Sequence, residues 1–197
     1  MTDFAAWKRL YEQEITDYRN HYAKTGDYLG YFSVPRYKTA ADIGVIIREY
    51  CSGQLCLDIG CGPLKRPVYM LPDMNFVGID PDPGFQKRAF PFKKGMGEDI
   101  PFPDCHFGCV TIMTSLDHAL DPDQVIAESH RVLKPGGYIF IWYTNKSGLD
   151  GHHLHFFSRA KIDKILVAHR FTVVEQRVCQ RSSIHPETML AIGKRVG

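Results

Sequence analysis

Leu57-Asp58-Ile59-Gly60-Cys61-Gly62-Pro63 decides how this chain reads: an apolar run, begun at Gln54, passes straight into a glycine turn. Residues 54–59 have the length and apolar content of a buried parallel strand. Gly60 and Gly62 let main-chain N–H groups approach a ligand with no Cβ in the way, which is how a chain builds a cofactor turn. Asn75-Phe76-Val77-Gly78-Ile79-Asp80 reads as a second strand ending in a carboxylate. Asp80 stands 18 residues beyond Gly62, near the offset at which an acidic side chain of a doubly wound fold takes ribose hydroxyls. A nucleoside-containing cofactor follows. A dinucleotide fits poorly, because Gly-x-Gly-x-x-Gly counted from Gly60 meets Pro63 at its fourth place and Lys65 at its sixth.

Outward from this turn the chain alternates helix and strand patterns, the mark of an α/β domain. Phe4, Trp7, Leu10, Tyr11, Ile15, Tyr18 and Tyr22 recur near a 3.6 period, so Asp3–Ala23 is expected to be an amphipathic helix capped by Thr2 or Asp3. Residues 25–38 are aromatic and broken by Gly26, Gly30 and Pro35; Tyr28, Tyr31, Phe32 and Tyr37 either pack on a sheet edge or form a lid over substrate. A helix is expected over Thr39–Cys51, a short one over Pro67–Leu71 and a brief strand over Phe92–Met96. Cys109–Met113 reads as a fourth strand, whose carboxyl end delivers Thr114-Ser115-Leu116-Asp117-His118 to the crevice where such sheets bind ligands. Pro122–Leu133 then forms a helix, Gly137–Trp142 a strand, Arg159–His169 a helix, and Phe171–Arg177 and Glu187–Lys194 a closing pair of strands.

Composition narrows the function. With 197 residues the chain fits one domain, and a net charge of +2 is too small to indicate nucleic-acid binding. From Ser158 onward eight Lys and Arg face three Asp and Glu, which a solvated basic face explains. The six cysteines show no Cys-x-x-Cys pair and read as reduced thiols. Neither a secretory leader nor an apolar stretch long enough to span a bilayer is visible, so a cytoplasmic protein without membrane partners is expected.

The glycine turn, Gly95 to Phe102, and Arg131-Val132-Leu133-Lys134-Pro135-Gly136-Gly137 together resemble the class I S-adenosylmethionine-dependent methyltransferases, over a stretch from Leu57 to about Val174. The resemblance implies a single Rossmann-like domain: residues 1–40 supply an N-terminal helix and candidate lid, and residues 41–197 a cofactor-binding core. Its mostly parallel sheet of about seven strands would have the order 3-2-1-4-5-7-6, strand 7 antiparallel, with helices on both faces. It implies S-adenosyl-L-methionine as cofactor and S-adenosyl-L-homocysteine as product. Asp58, Gly60, Cys61 and Gly62 would surround the methionine part, Asp80 with the adjoining Pro81 the ribose, and Met96, Gly97, Glu98 and Asp99 the adenine; Thr114 and Ser115 would complete the crevice.

Methyl transfer is an in-line displacement, so catalysis rests first on orientation, and an acceptor hydroxyl also needs a base. Imidazole suits that task near neutrality, and His118 stands beyond the fourth strand while His152, His153 and His155 cluster before a later helix. His118 and His153 are the catalytic candidates. No metal is expected, since paired Cys and His of zinc-site spacing are missing. A small-molecule acceptor is expected, a hydroxyl of a sugar or specialised metabolite. A non-catalytic binder of the same cofactor and an NAD-dependent oxidoreductase stay open as alternatives.

Overall fold

The computed structural model describes residues 4–25, 34–82, 84, 87–145, 153–180 and 187–197. In chain order these form α1 (Phe4–Thr25), α2 (Val34–Cys51), β1 (Leu55–Ile59), β2 (Asn75–Asp80), β3 (Phe92–Lys94), β4 (Phe107–Met113), α3 (Pro122–Val132), β5 (Leu133–Asn145), α4 (Arg159–Ala168), β6 (Phe171–Gln180) and β7 (Glu187–Arg195), with one 3-10 turn at Leu116–His118 after β4. The strands make one sheet in the order β3-β2-β1-β4-β5-β7-β6. All neighbours pair parallel except β7, which runs antiparallel to both β5 and β6. The expected seven-stranded architecture is therefore what the chain adopts.

Period-2 alternation divides the sheet into two faces. Leu57 and Ile59, Val110 and Ile112, Ile139 and Ile141 pack on one side under Val125 and Ile126 of α3 and Ile162 and Leu166 of α4. Cys56, Cys109, Met113, Phe140 and Trp142 pack on the other against Ile43 and Ile47 of α2 and against Tyr69 and Met70. Every residue of β4 is buried, as befits a central parallel strand covered on both faces.

Several boundaries differ from expectation: β5 starts four residues before the expected Gly137 and ends at Asn145, and β6 runs on to Gln180. α2 begins at Val34, because Pro35 falls in its first turn, where the missing N–H has no helical partner to lose. Residues 67–71 form turns and no helix: Met70 N donates to Pro67 O (3.1 Å) and Met74 N to Leu71 O (3.1 Å), while Tyr69 and Met70 turn inward onto α2. Pro67 and Pro72 leave too short an interval for helix nucleation. β3 stops at Lys94, so Met96 lies in the following turn. Residues 26–33, and the side chains of residues 34–37, lie outside the described set, as do the candidate cap at residues 2–3 and His152; this includes most of the candidate lid. Among the described residues no helix is long and apolar enough to cross a membrane.

Candidate active site

β1 leads to β2 on one side of the sheet and β4 to β5 on the other, so the strand order reverses between β1 and β4. Ligands of open α/β sheets bind outside the carboxyl ends of strands at such a reversal. A cavity of about 200 Å³ opens there. It is lined by the turn Gly60–Leu64, Asp80-Pro81, Gly95–Glu98, Thr114–Leu116 and His118, and on its outer side by Trp7, Tyr11 and Ile15 of α1 together with Tyr69 and Trp142.

The turn is built differently from the expected donor cradle. Gly60 N and Cys61 N both donate to Ile79 O (2.9 and 3.1 Å), and Gly62 N donates to Asp80 Oδ2 (2.9 Å). These N–H groups are thus spent on β2, and what the glycines offer the cavity is bare Cα surface. Gly60 has φ +71°, and a Cβ there would stand 2.5 Å from Ser115 Cβ, whose Oγ donates to Ile59 O (2.8 Å). Gly62 has φ +65° but would meet nothing within 4 Å. Gly60→Ala therefore adds a collision to the left-handed backbone cost, and is expected to lower stability by about 2–4 kcal/mol, against about 1–2 for Gly62→Ala. Thermal unfolding of the two variants checks this; equal losses would deny the Ser115 contact its role.

Asp80 is buried, its Oδ1 accepting from Asp82 N (2.8 Å) and its Oδ2 from Gly62 N. Burial outweighs these two bonds and pushes its pKa up to about 6. Each carboxylate oxygen keeps a second lone pair for an incoming hydroxyl. Asp58, by contrast, is not among the residues lining the cavity. Strand alternation turns it to the α2 face with its register partner Thr111, whose Oγ1 donates to Asp58 Oδ1 (2.6 Å), while Tyr69 Oη donates to Oδ2 (2.9 Å). Asp58 braces Tyr69, and Tyr69 reaches the cavity wall. Burial raises Asp58 to about 7, and pushes the Cys61 thiol up as well, leaving it neutral.

On the opposite rim, Glu98 lines the cavity but is tied to the start of α3, accepting from Leu120 N (2.7 Å) and Asp121 N (3.2 Å). Asp99 is exposed and away from the cavity; its N–H closes the turn onto Met96 O (3.3 Å). Arg131 fixes this rim from below, donating to Ile100 O (2.9 Å) and Phe102 O (2.9 Å). At the end of β4, Thr114 takes φ +57°, an uncommon conformation for a residue with a branched Cβ and one found at strained functional positions.

His118 lines the cavity, and His153 stands behind it with ring centroids 4.8 Å apart. Asp117 faces both, Oδ1 at 3.9 Å from His118 Nε2 and Oδ2 at 3.5 Å from His153 Nε2. His155 docks on the same turn from its other end, its N–H donating to Asp117 O (3.1 Å) and its Nε2 lying 2.9 Å from Ala119 O. The segment 153–155 docks as a unit on residues 117–119, with His153 the member whose ring stands beside His118.

The sequence reading missed the outer wall. Trp7, Tyr11 and Ile15 are spaced by four and share one face of α1, with Trp7 and Tyr11 stacked at 5.1 Å and 6°. Trp7 Nε1 donates to His118 O (2.9 Å), fastening α1 to the turn that carries the histidine. Among the described lining residues are two carboxylates, Asp80 and Glu98, and no lysine or arginine. A pyrophosphate would find there neither a guanidinium nor an uncommitted N–H of the glycine turn.

Comparison with known proteins agrees with this geometry. Residues 57–141 match the family model described as a methyltransferase domain. A ubiquinone/menaquinone biosynthesis C-methyltransferase of Psychromonas ingrahamii is 34% identical over 91 residues, covering 46% of this chain and 32% of that protein. An uncharacterized methyltransferase of Mycobacterium avium is 30% identical over 114 residues, covering 53% and 45%. The chain thus spans about a third to a half of the length of these relatives. The Burkholderia thailandensis 1,6-didemethyltoxoflavin-N1-methyltransferase, solved with 1,6-didemethyltoxoflavin and S-adenosylhomocysteine, shares the fold with a TM-score of 0.78 at 14% identity, over 100% of this chain and 92% of that one. Residues 57–141, somewhat under half of the chain, thus match a methyltransferase domain, and the chain as a whole shares its fold with a solved methyltransferase.

Proposed function

We propose that the protein methylates a small molecule, at a hydroxyl oxygen of a sugar or specialised metabolite, using S-adenosylmethionine bound between Asp80 and the Gly60–Gly62 turn. The observation that carries this is the acid-lined cavity at the reversal point, free of lysine and arginine among its described residues. It suits a cofactor that bears a positive charge and no phosphate, and disfavours NAD.

The residues present fit that cofactor. Asp80 would take the ribose hydroxyls, the bare Cα atoms of Gly60 and Gly62 would lie along the methionine part with Cys61, and the Met96–Glu98 rim with Pro81 would bound the adenine. Bound S-adenosylmethionine supplies a methyl group on a sulfonium, open to in-line displacement. The chain's own contribution is chiefly orientation, which can supply about 7–11 kcal/mol of the barrier. Trp7, Tyr11 and Ile15 would wall the acceptor against that face and keep water out. His118 is the group within the cavity suited to take the hydroxyl proton, with Asp117 to stabilise the resulting imidazolium and His153 behind it.

Calorimetric titration tests the reading. S-adenosylhomocysteine and S-adenosylmethionine are expected to bind in the micromolar range and NAD not at all; binding of NAD alone would overturn it. His118→Ala is expected to leave S-adenosylhomocysteine affinity within about threefold of the parent. Methyl transfer to any hydroxyl acceptor found by screening is expected to fall on the order of 100-fold, the scale of a lost general base. Full transfer in that variant would remove His118 from the chemistry.

A further inference from the structure

Asp117, His118 and His153 bring one carboxylate oxygen and two imidazole nitrogens within 4.8 Å of one another, and of the three His118 lines the cavity. We infer that these three side chains form a binding site for a divalent transition-metal cation, whose open positions face the cavity and take an oxygen donor of the acceptor. The second half of this inference rests on the methyltransferase reading, whereas the first stands on the side chains alone.

Ligands held at about 2.0–2.2 Å around a tetrahedral ion lie roughly 3.4 Å from one another. His153 Nε2 lies 3.5 Å from Asp117 Oδ2 and His118 Nε2 3.9 Å from Asp117 Oδ1, each near that value, and with one ligand atom taken per residue the three lie within 4.8 Å of one another before any ion draws them in. Both Nε2 atoms face the carboxylate from opposite oxygens, leaving the two rings side by side with centroids 4.8 Å apart. The side chains are partly shielded, at 27% exposure for each histidine and 13% for the aspartate, so the wider gaps can close by ring rotation.

The backbone holds the three ligands together. Asp117 O accepts from Leu154 N (3.0 Å) and His155 N (3.1 Å), pinning the segment that carries His153 onto the 3-10 turn that carries the other two. Trp7 fastens the carbonyl of His118 from the far side. Two imidazoles and one carboxylate suit zinc, cobalt, nickel or iron(II) better than magnesium or calcium, which favour oxygen. Three protein ligands with positions left open are the arrangement of catalytic metal sites, while structural sites are closed by four. With the ion bound, His118 would serve as a ligand, and the cation would lower the pKa of a coordinated acceptor hydroxyl so that its proton passes to solvent water, leaving a metal-held oxygen to accept the methyl group. The acceptor chemistry this favours is a hydroxyl flanked by a second oxygen, able to chelate.

The test is cobalt(II) titration of the whole chain after treatment with a chelator, read by visible ligand-field absorption and repeated on Asp117→Asn and His153→Gln. One cobalt per chain is expected, with its affinity lowered at least about tenfold in each variant. Both variants are expected to keep S-adenosylhomocysteine binding, which reports that they fold. Bands absent from the parent chain, or unchanged in both variants, would overturn the cation site. S-adenosylhomocysteine binding without cobalt bands would overturn the site and leave the methyltransferase reading intact; cobalt bands without S-adenosylhomocysteine binding would do the reverse.

Discussion

Asp80→Ala is expected to raise the dissociation constant for S-adenosylhomocysteine by at least about 100-fold, since each hydrogen bond to an ionised carboxylate contributes about 1.5–3 kcal/mol and a ribose offers two. The loss has a second component. The same carboxylate receives Gly62 N and Asp82 N, so its removal frees the far end of the glycine turn and the residues after β2. Asp80→Asn separates the two, because an amide oxygen can still receive one of these N–H groups but carries no charge; it is expected to fall between parent and alanine. The pH dependence is diagnostic. Asp80 titrates at about 6, and its ionised form is the better acceptor for two hydroxyls. Affinity should therefore be full above pH 6 and weaken below it, by up to about tenfold per pH unit, as a proton must be released to bind. Calorimetry from pH 5 to 8 checks this; a flat profile, or binding within about threefold in Asp80→Ala, would take the ribose role away from this residue.

The parts of this site that sequence reveals are those fixed by local chain geometry. A buried parallel strand must be apolar on both faces, so β1, β2 and β4 announce themselves, and a strand that ends in glycine or a carboxylate exposes that residue at the crevice. Gly60, Gly62, Asp80, Thr114, Ser115 and His118 all line the cavity for that reason. What depends on the neighbouring strand stays hidden. That Ile79 O captures the N–H groups of Gly60 and Cys61 follows from where β2 ends beside β1, and no residue type announces it. Asp58 lies between these cases. Leu57 and Ile59 belong to one face, so alternation alone turns Asp58 to the other, away from the turn it precedes. The four-residue spacing of Trp7, Tyr11 and Ile15 defines a face of α1, but only the tertiary fold brings that face to the cavity. Sequence adjacency groups His153 with His155, but only the backbone bonds from Leu154 and His155 to Asp117 O bring that segment to the turn that carries His118.

The contribution of Asp58 to stability should fall as pH rises from about 4 to 7, the reverse of an ionised, paired carboxylate, and it works against His130 and His155, which burial holds below the usual imidazole value. The cause is Asp58, fully buried and raised from 3.8 to about 7. Its folded pKa lies above its unfolded one, so within that window the native state holds a proton that the unfolded chain has released. Unfolding then becomes easier with increasing pH, at up to about 1.4 kcal/mol per unit and about 4 kcal/mol in all, with the full contribution present below pH 4 and lost above pH 7. Asp80 adds a component of the same sign that ends near pH 6. Asp58→Asn removes the larger part without emptying the site, because an amide can accept from one of Thr111 and Tyr69 and donate to the hydroxyl oxygen of the other. Denaturant unfolding at pH 5 and pH 8 should show the parent chain losing more stability, or gaining less, than the variant over that interval, the difference being the Asp58 component. Equal slopes in the two proteins would mean that Asp58 is ionised throughout. The consequence reaches the cavity, since Tyr69 is held at its wall by this one carboxyl. A variant that keeps a polar group there should preserve the wall, whereas Asp58→Ala leaves the buried Tyr69 hydroxyl to find another partner, Thr111 still having Leu57 O, and should lose both stability and the shape of the site.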